Sequence, residues 1–247
     1  MADNPFPTAV IFTALSVECA AVRAHLPKTE TLRHPLGTRV ERGRLPDSPW
    51  YVALAEIGEG TLTAAVLTAH VNSWLSPQAL FFVGVAGGLK DDINIGDVVV
   101  ATKIYGIHGG KQTPEGFLVR PEAWRAAYRL DQAARHALRG TEHRAHFKPI
   151  AVGDVVLADA KSAIARHIHE HYNDAVAIEM EGAGVAEAAR LIGTLDTLII
   201  RGVSDKADVN KRERDAEGSQ LDAAKNAAAA VVAVLRELEP TGAASRP

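Results

Sequence analysis

Short apolar runs alternate along this chain with amphipathic or alanine-rich stretches. TAVIFTAL (residues 8–15) is rich in β-formers and leads into a helical segment reaching residue 26. TRVERGRL (38–45) and WYVALAEI (50–57) pattern as two arms of a hairpin, joined by a turn holding Pro46, Asp47 and Ser48. Residues 60–75 are alanine-rich and helical, with Pro77 closing the helix. ALFFVGVAGG (79–88) is a continuous apolar run and predicts a fully buried strand ending in glycines. A further strand is expected over 96–107, and a helix over 121–138 with a proline near its start. Then come a strand at 149–157, a helix at 160–172, the AIEME strand (177–181) entering a helix to residue 192, the buried strand TLIIRGVSD (197–205), and a last helix at 219–238.

Alternation of this kind predicts an α/β fold, a single domain of three layers in which helices flank a mixed central sheet. The long strand from Gly96 implies strong curvature or partial closure of that sheet. The expected domain is 1–239, and the polar tail PTGAASRP (240–247) is expected to be disordered. The chain shows no internal repeat.

Composition narrows the function classes. The sequence has 247 residues, 47% apolar and 23% charged, a globular balance within reach of one domain. A net charge of -3 and 5% aromatics give neither the basic footprint nor the stacking surface of a nucleic-acid binder. No apolar run approaches the ~20 residues that span a bilayer. The first residues lack a secretion signal, and the lone Cys19 forms no internal disulfide and predicts a packed thiol; a cytoplasmic location is expected.

Ligands of open α/β sheets gather beyond the carboxyl ends of strands, so the residues just after each apolar run carry information. Those ends hold Ser16-Val17-Glu18, then Gly84-Val85-Ala86-Gly87-Gly88, then Ala158-Asp159, then the glutamates of Ala177-Ile178-Glu179-Met180-Glu181, then Ser204-Asp205 with Asp208 nearby. Glu18 also suits a helix start, where a carboxylate complements the dipole, and Asp205 with Asp208 also suits a polar turn. GVAGGLK lacks the lysine-hydroxyl ending of a phosphate loop. Glu179 and Glu181 would share one face if the strand persists through both. His167, His169 and His171 lie two apart on a predicted helix, and Asn173 stands where a metal-binding histidine would be needed, so they predict a solvated face and no metal site. The glycine-rich stretch 105–111 predicts a mobile loop.

GVAGGLKDDINIGDVVVA, VGDVVL, AIEMEGAGVA and IIRGVSDKAD, in this order and spacing, resemble the purine nucleoside phosphorylase and nucleosidase superfamily. The likeness covers roughly residues 8–235 and is nearest the methylthioadenosine/S-adenosylhomocysteine nucleosidases. It implies that Asp205, next to Ser204, protonates a purine at N7. It implies that Glu181 holds the ribose hydroxyls above Met180, and that Glu18 activates water with Arg201 beside it. Val85, Ala86 and Gly87 would form the glycine turn of the substrate pocket, and Val156 and Leu157 would line the base. To donate a proton Asp205 must carry one, so Arg201 is expected to turn toward Glu18 or Glu181 and away from Asp205. The phosphorylase branch has an arginine and a serine where Phe82 and Val85 stand, which favours water over phosphate. Val156 replaces the aromatic on which nucleosidases stack adenine.

The resemblance therefore implies hydrolysis of the N-glycosidic bond of a purine nucleoside, most simply a 5′-modified adenosine, with no cofactor and a homo-oligomer that completes its own pockets. Three alternatives stand beside it. One is a phosphorylase. Another is a nucleosidase that acts on nucleotides such as AMP or ATP, with Lys103, His108, Lys111 and Arg120 facing a charged 5′ group. The third is a nucleoside sensor without turnover, which would not need both an acid and a base.

Overall fold

The computed structural model describes residues 7–141, 144–207 and 218–241. Its strands are β1 (Thr8–Thr13), β2 (Glu30–Arg33), β3 (Arg39–Arg44), β4 (Tyr51–Glu56), β5 (Ala79–Gly88), β6 (Val98–Gly106), β7 (Gly110–Thr113), β8 (Gly116–Val119), β9 (Glu122–Arg125), β10 (Ala145–Val152), β11 (Ala177–Glu179) and β12 (Asp196–Asp205). Its helices are α1 (Ser16–Arg23), α2 (Thr61–Leu75), α3 (Tyr128–Ala137), α4 (Ala163–His171), α5 (Gly182–Ile192) and α6 (Ser219–Glu237).

The sheet runs β11-β10-β6-β12-β5-β1-β4-β3-β2. β5 lies at its centre, parallel to both β1 and β12, and its apolar sequence is buried because helices cover both faces. On one side Trp50, Leu54, Phe81 and Leu198 pack with α6 residues such as Val231 and Leu235. On the other, Phe12, Phe82 and Ile199 pack with Ala64 and Val71 of α2 and Val185 of α5. The three layers and the mixed, curved sheet agree with the sequence expectation. Curvature goes as far as closure: the last residues of β5 pair antiparallel with β11, Gly88 to Ala177 and Gly87 to Ile178, so that β5, β12, β6, β10 and β11 form a ring.

Several elements differ from expectation. The stretch expected as one helix over 121–138 is strand β9 followed by α3. Trp124 decides this: its ring lies over Gly106 of β6 and its indole N–H donates to Glu187 of α5 at 2.8 Å, so the segment finds an edge to pair with. The expected strand 149–157 begins earlier and ends at Val152. The expected loop 105–111 ends inside the β7–β8 hairpin. His167 is no part of a solvated face; it packs on Phe117 and Tyr172, with Nε2 3.0 Å from the Ile107 carbonyl. Most of the tail and Asp208 lie outside the described residues. Among the described residues no helix is long and apolar enough to cross a membrane.

Two helices meet at a glycine. A Cβ on Gly184 of α5 would stand 2.0 Å from the Thr61 carbonyl oxygen of α2, a backbone atom that cannot swing aside. Gly184→Ala should therefore force α2 and α5 apart and cost about 1–3 kcal/mol, read as a lower urea midpoint at unchanged slope.

Candidate active site

Glu18 enters the interior because β1 ends at Thr13 and the chain turns into α1 with Leu15 extended at its N-cap. The carboxylate then reaches back along the helix start. Its Oε2 accepts from the Ala14 and Leu15 amides, both at 2.9 Å, and Oε1 accepts from the Val85 amide at 2.7 Å. The helix-start role and the site role thus coincide in one residue. Val85, which supplies no hydroxyl, contributes its backbone N–H instead.

Arg201, on β12, is 1% exposed and lies between carboxylates from three elements. Its Nη2 donates to Glu179 Oε2 and lies 3.6 Å from Glu181 Oε2. Gly84, its neighbour on β5, has no side chain, and a Cβ there would run into both Arg201 Nη1 (2.2 Å) and Glu18 Oε1 (2.4 Å). The guanidinium carbon stands 4.1 Å from the centroid of the Phe82 ring. Arg201 is turned away from the position of Asp205, as the sequence predicts. Its first partner, however, is Glu179, the last residue of β11, with Glu181 second.

Glu179 is the organiser of the next turn. It accepts from the Glu181 amide (3.2 Å) and the Gly182 amide (2.8 Å), capping the start of α5 while it pairs with Arg201. The strand therefore stops at Glu179, and Glu181 is the N-cap of α5 and not a strand residue. Glu181 Oε1 accepts from the Gly60 amide at 3.1 Å. Thr61, the first residue of α2, places Oγ1 2.9 Å from Asp154 Oδ1 and 2.8 Å from the Met180 carbonyl oxygen, tying three loops together.

At the end of β12 a register shift against β5 sets in between Val203 and Asp205, and it breaks the strict alternation that would put Asp205 on the face of Arg201. Asp205 is 1% exposed. Its Oδ2 accepts from the Ser204 hydroxyl (2.9 Å) and Oδ1 from the Ala207 amide (2.7 Å), Ala207 being held at φ 51. A Cβ on Gly87 would meet Asp205 Oδ1 at 3.0 Å, so glycine lets the carboxylate stand at the turn.

One cavity collects these groups. Glu18, Val85, Ala86, Gly87, Val156, Leu157, Met180, Glu181, Ser204 and Asp205 all line it, and of the site residues expected from sequence only Arg201 stays behind the wall. Val156 is 57% exposed, a small apolar face on an open side. Lys103 is held instead by Asp174 at 3.1 Å, and neither it nor His108, Lys111 or Arg120 lines the cavity. Glu179 joins the lining, as do Glu59 and Gln220, which sequence reading passed over. Glu59 lies just past the apolar strand 50–57, so the rule of looking beyond strand ends, applied there too, would have found it. Glu18, Glu59, Glu179, Glu181 and Asp205 give the lining five carboxylates, and its described residues include no lysine, arginine or histidine.

Burial is the main cause of altered acidity here. It pushes the Glu18 carboxyl above its ordinary value, against the opposing pull of Arg201 and the Leu15, Val85 and Ala14 amides. It lifts Glu181 to about 7, with Glu179 and Glu18 adding to the effect while Arg201 and the Gly60 amide resist it. Burial alone would weaken the charge on Arg201, but Glu179, Glu181 and Glu18 together hold it above the ordinary arginine value.

Glu181 is thus a weaker acid folded than unfolded. Its contribution to stability is fully present below about pH 4.5, the ordinary value, and is lost as the pH climbs to about 7. In denaturant titrations across this window, wild-type stability should fall relative to Glu181→Gln. Arg201→Met should cost about 3–5 kcal/mol at pH 7 by stranding buried carboxylates, measured in the same titrations.

The sequence profile of the phosphorylase superfamily matches residues 8–236. A 5′-methylthioadenosine/S-adenosylhomocysteine nucleosidase of Chromohalobacter salexigens is 30% identical over 207 residues, 80% of this chain and 83% of its own length. The crystal structure of the corresponding Neisseria meningitidis nucleosidase, in complex with methylthio-immucillin-A, superposes with a TM-score of 0.82 at 25% identity, covering 94% of this chain and all of that one. The futalosine hydrolase of Helicobacter pylori has the same fold, with a TM-score of 0.81 at 20% identity over 94% of this chain and 98% of its own. With its profile matched almost end to end and its strand-end carboxylates gathered in one cavity, the chain belongs to the phosphorylase superfamily.

Proposed function

We propose that this protein hydrolyses the N-glycosidic bond of an adenine nucleoside, such as 5′-methylthioadenosine or S-adenosylhomocysteine. The observation that carries the reading is the meeting of Glu18, Glu181 and Asp205, from three separate strand ends, around one cavity. Asp205 donates a proton to N7 of the purine as the C1′–N9 bond breaks and its electron pair passes to the base. Glu18, oriented by three amides, takes a proton from water as the water oxygen bonds to C1′. A carboxyl raised by burial is the better base for that step. Glu181 accepts hydrogen bonds from the ribose diol, which offsets the cost of burying it. Arg201 touches none of the reacting atoms in this scheme and acts by holding Glu179 and Glu181 in place.

Water is favoured over phosphate because the described lining residues include no lysine, arginine or histidine to hold a phosphate dianion, and Phe82 serves as a floor for Arg201. The names of the relatives support adenine nucleosides as the substrate class. We also infer a homo-oligomer, since Leu62 and Val66 lie one turn apart on α2 and are 82% and 65% exposed.

Adenine release from methylthioadenosine should proceed at the same rate with and without phosphate, monitored by a coupled assay or chromatography. Asp205→Asn and Glu18→Gln should each lower kcat by about 10²–10⁴-fold. A sugar phosphate among the products would overturn the hydrolytic reading.

A further inference from the structure

The cavity carries a carboxylate that none of these steps uses. Glu59 lines it from a turn between Gly58 (φ 77) and Gly60 (φ 106), and neither glycine would meet a neighbour if it bore a Cβ. These left-handed positions bend the chain sharply and leave open space around the turn. The Gly60 amide is bound to Glu181 Oε1, so Glu59 is anchored one residue from the carboxylate that takes the diol, at the sugar end of the cavity.

The other acids of the lining are engaged. Glu18 is held by amides, Glu179 by Arg201 and amides, Glu181 by Gly60, and Asp205 by Ser204 and Ala207. Glu59 has no hydrogen-bond or ion-pair partner among the described residues. A carboxylate unpaired among the described residues, beside four other lining carboxylates and no described lining cation, makes that end of the cavity electronegative. It repels anions and attracts cations or strong hydrogen-bond donors. Specificity arises as much from what such a group excludes as from what it binds.

We propose, resting on the adenine-nucleosidase reading, that Glu59 is a specificity-determining residue selecting 5′ substituents that carry a cationic amine, over neutral thioethers and against phosphates. The 5′ position is the part of a nucleoside left to meet Glu59 once Asp205 holds the base and Glu181 the diol. This sets the substrate class apart from the nucleotides that a basic loop would have suited.

The test compares 5′-amino-5′-deoxyadenosine, methylthioadenosine and AMP. Turnover is read as kcat/KM for adenine release, and binding by calorimetry on Asp205→Asn. The amine should be preferred over the thioether by about three- to tenfold in both measurements, shrinking as salt is raised, as expected for a partly exposed ion pair. Glu59→Gln should cut that ratio by about threefold or more, and Glu59→Lys should move it toward AMP. Glu115→Gln, which removes a charge from the β7–β8 turn and does not line the cavity, should leave the ratio unchanged. An unchanged ratio in Glu59→Gln, or equal handling of amine and thioether by the wild type, would overturn the assignment. Preferential binding with no adenine released from any compound would sink the hydrolase reading and leave Glu59 standing. Adenine release without preference would do the reverse, and no binding at all would overturn both.

Discussion

The site depends on one guanidinium. Arg201 is sealed from water and faces Glu179 and Glu181, with Glu18 across Gly84. Three carboxylates brought together without it would repel one another and could not all remain ionised in so dry a place. With it, each keeps a distinct place, in that Glu179 shapes the turn, Glu181 lines the cavity, and Glu18 is held by the Ala14, Leu15 and Val85 amides. Phe82 adds a π-face beneath the cation and is itself part of the support.

Asp205 stands apart from this cluster because of the backbone. The register shift beside it takes the carboxylate off the arginine's face, while Ser204 and Ala207 hold it at the turn. Asp205 at the end of β12 and Glu18 in the first turn of α1 thereby have different surroundings. Such separation is what lets two carboxyl groups in one cavity do opposite proton chemistry.

Much of this was legible in the sequence. Strands buried on both faces announce themselves as unbroken apolar runs, and the residues after them are where a parallel sheet presents its ligands. Glu18, Glu181 and Asp205 were visible for that reason. What could not be read were the effects of partners distant in sequence. Trp124 makes a strand only because Gly106 and Glu187 await it. Glu179 reads as a twin of Glu181 until β12 supplies Arg201 and the strand stops before the second glutamate. Glu59 escaped for a different reason, since a charged residue between glycines looks like any solvated turn.

The closed ring of β5, β12, β6, β10 and β11 has a consequence for how such a protein can change. Glu179 and Asp205 end strands of that ring, and Glu18 is tied to it through Val85, so each is braced by pairing on a frame with little slack. Glu59 and the stretch around Val156 hang from connections outside the frame. Drift in those connections can reshape the open side of the cavity without moving the carboxylates held on the frame. A lineage built on this scaffold can therefore explore new substrates one loop residue at a time, with its chemistry already in hand.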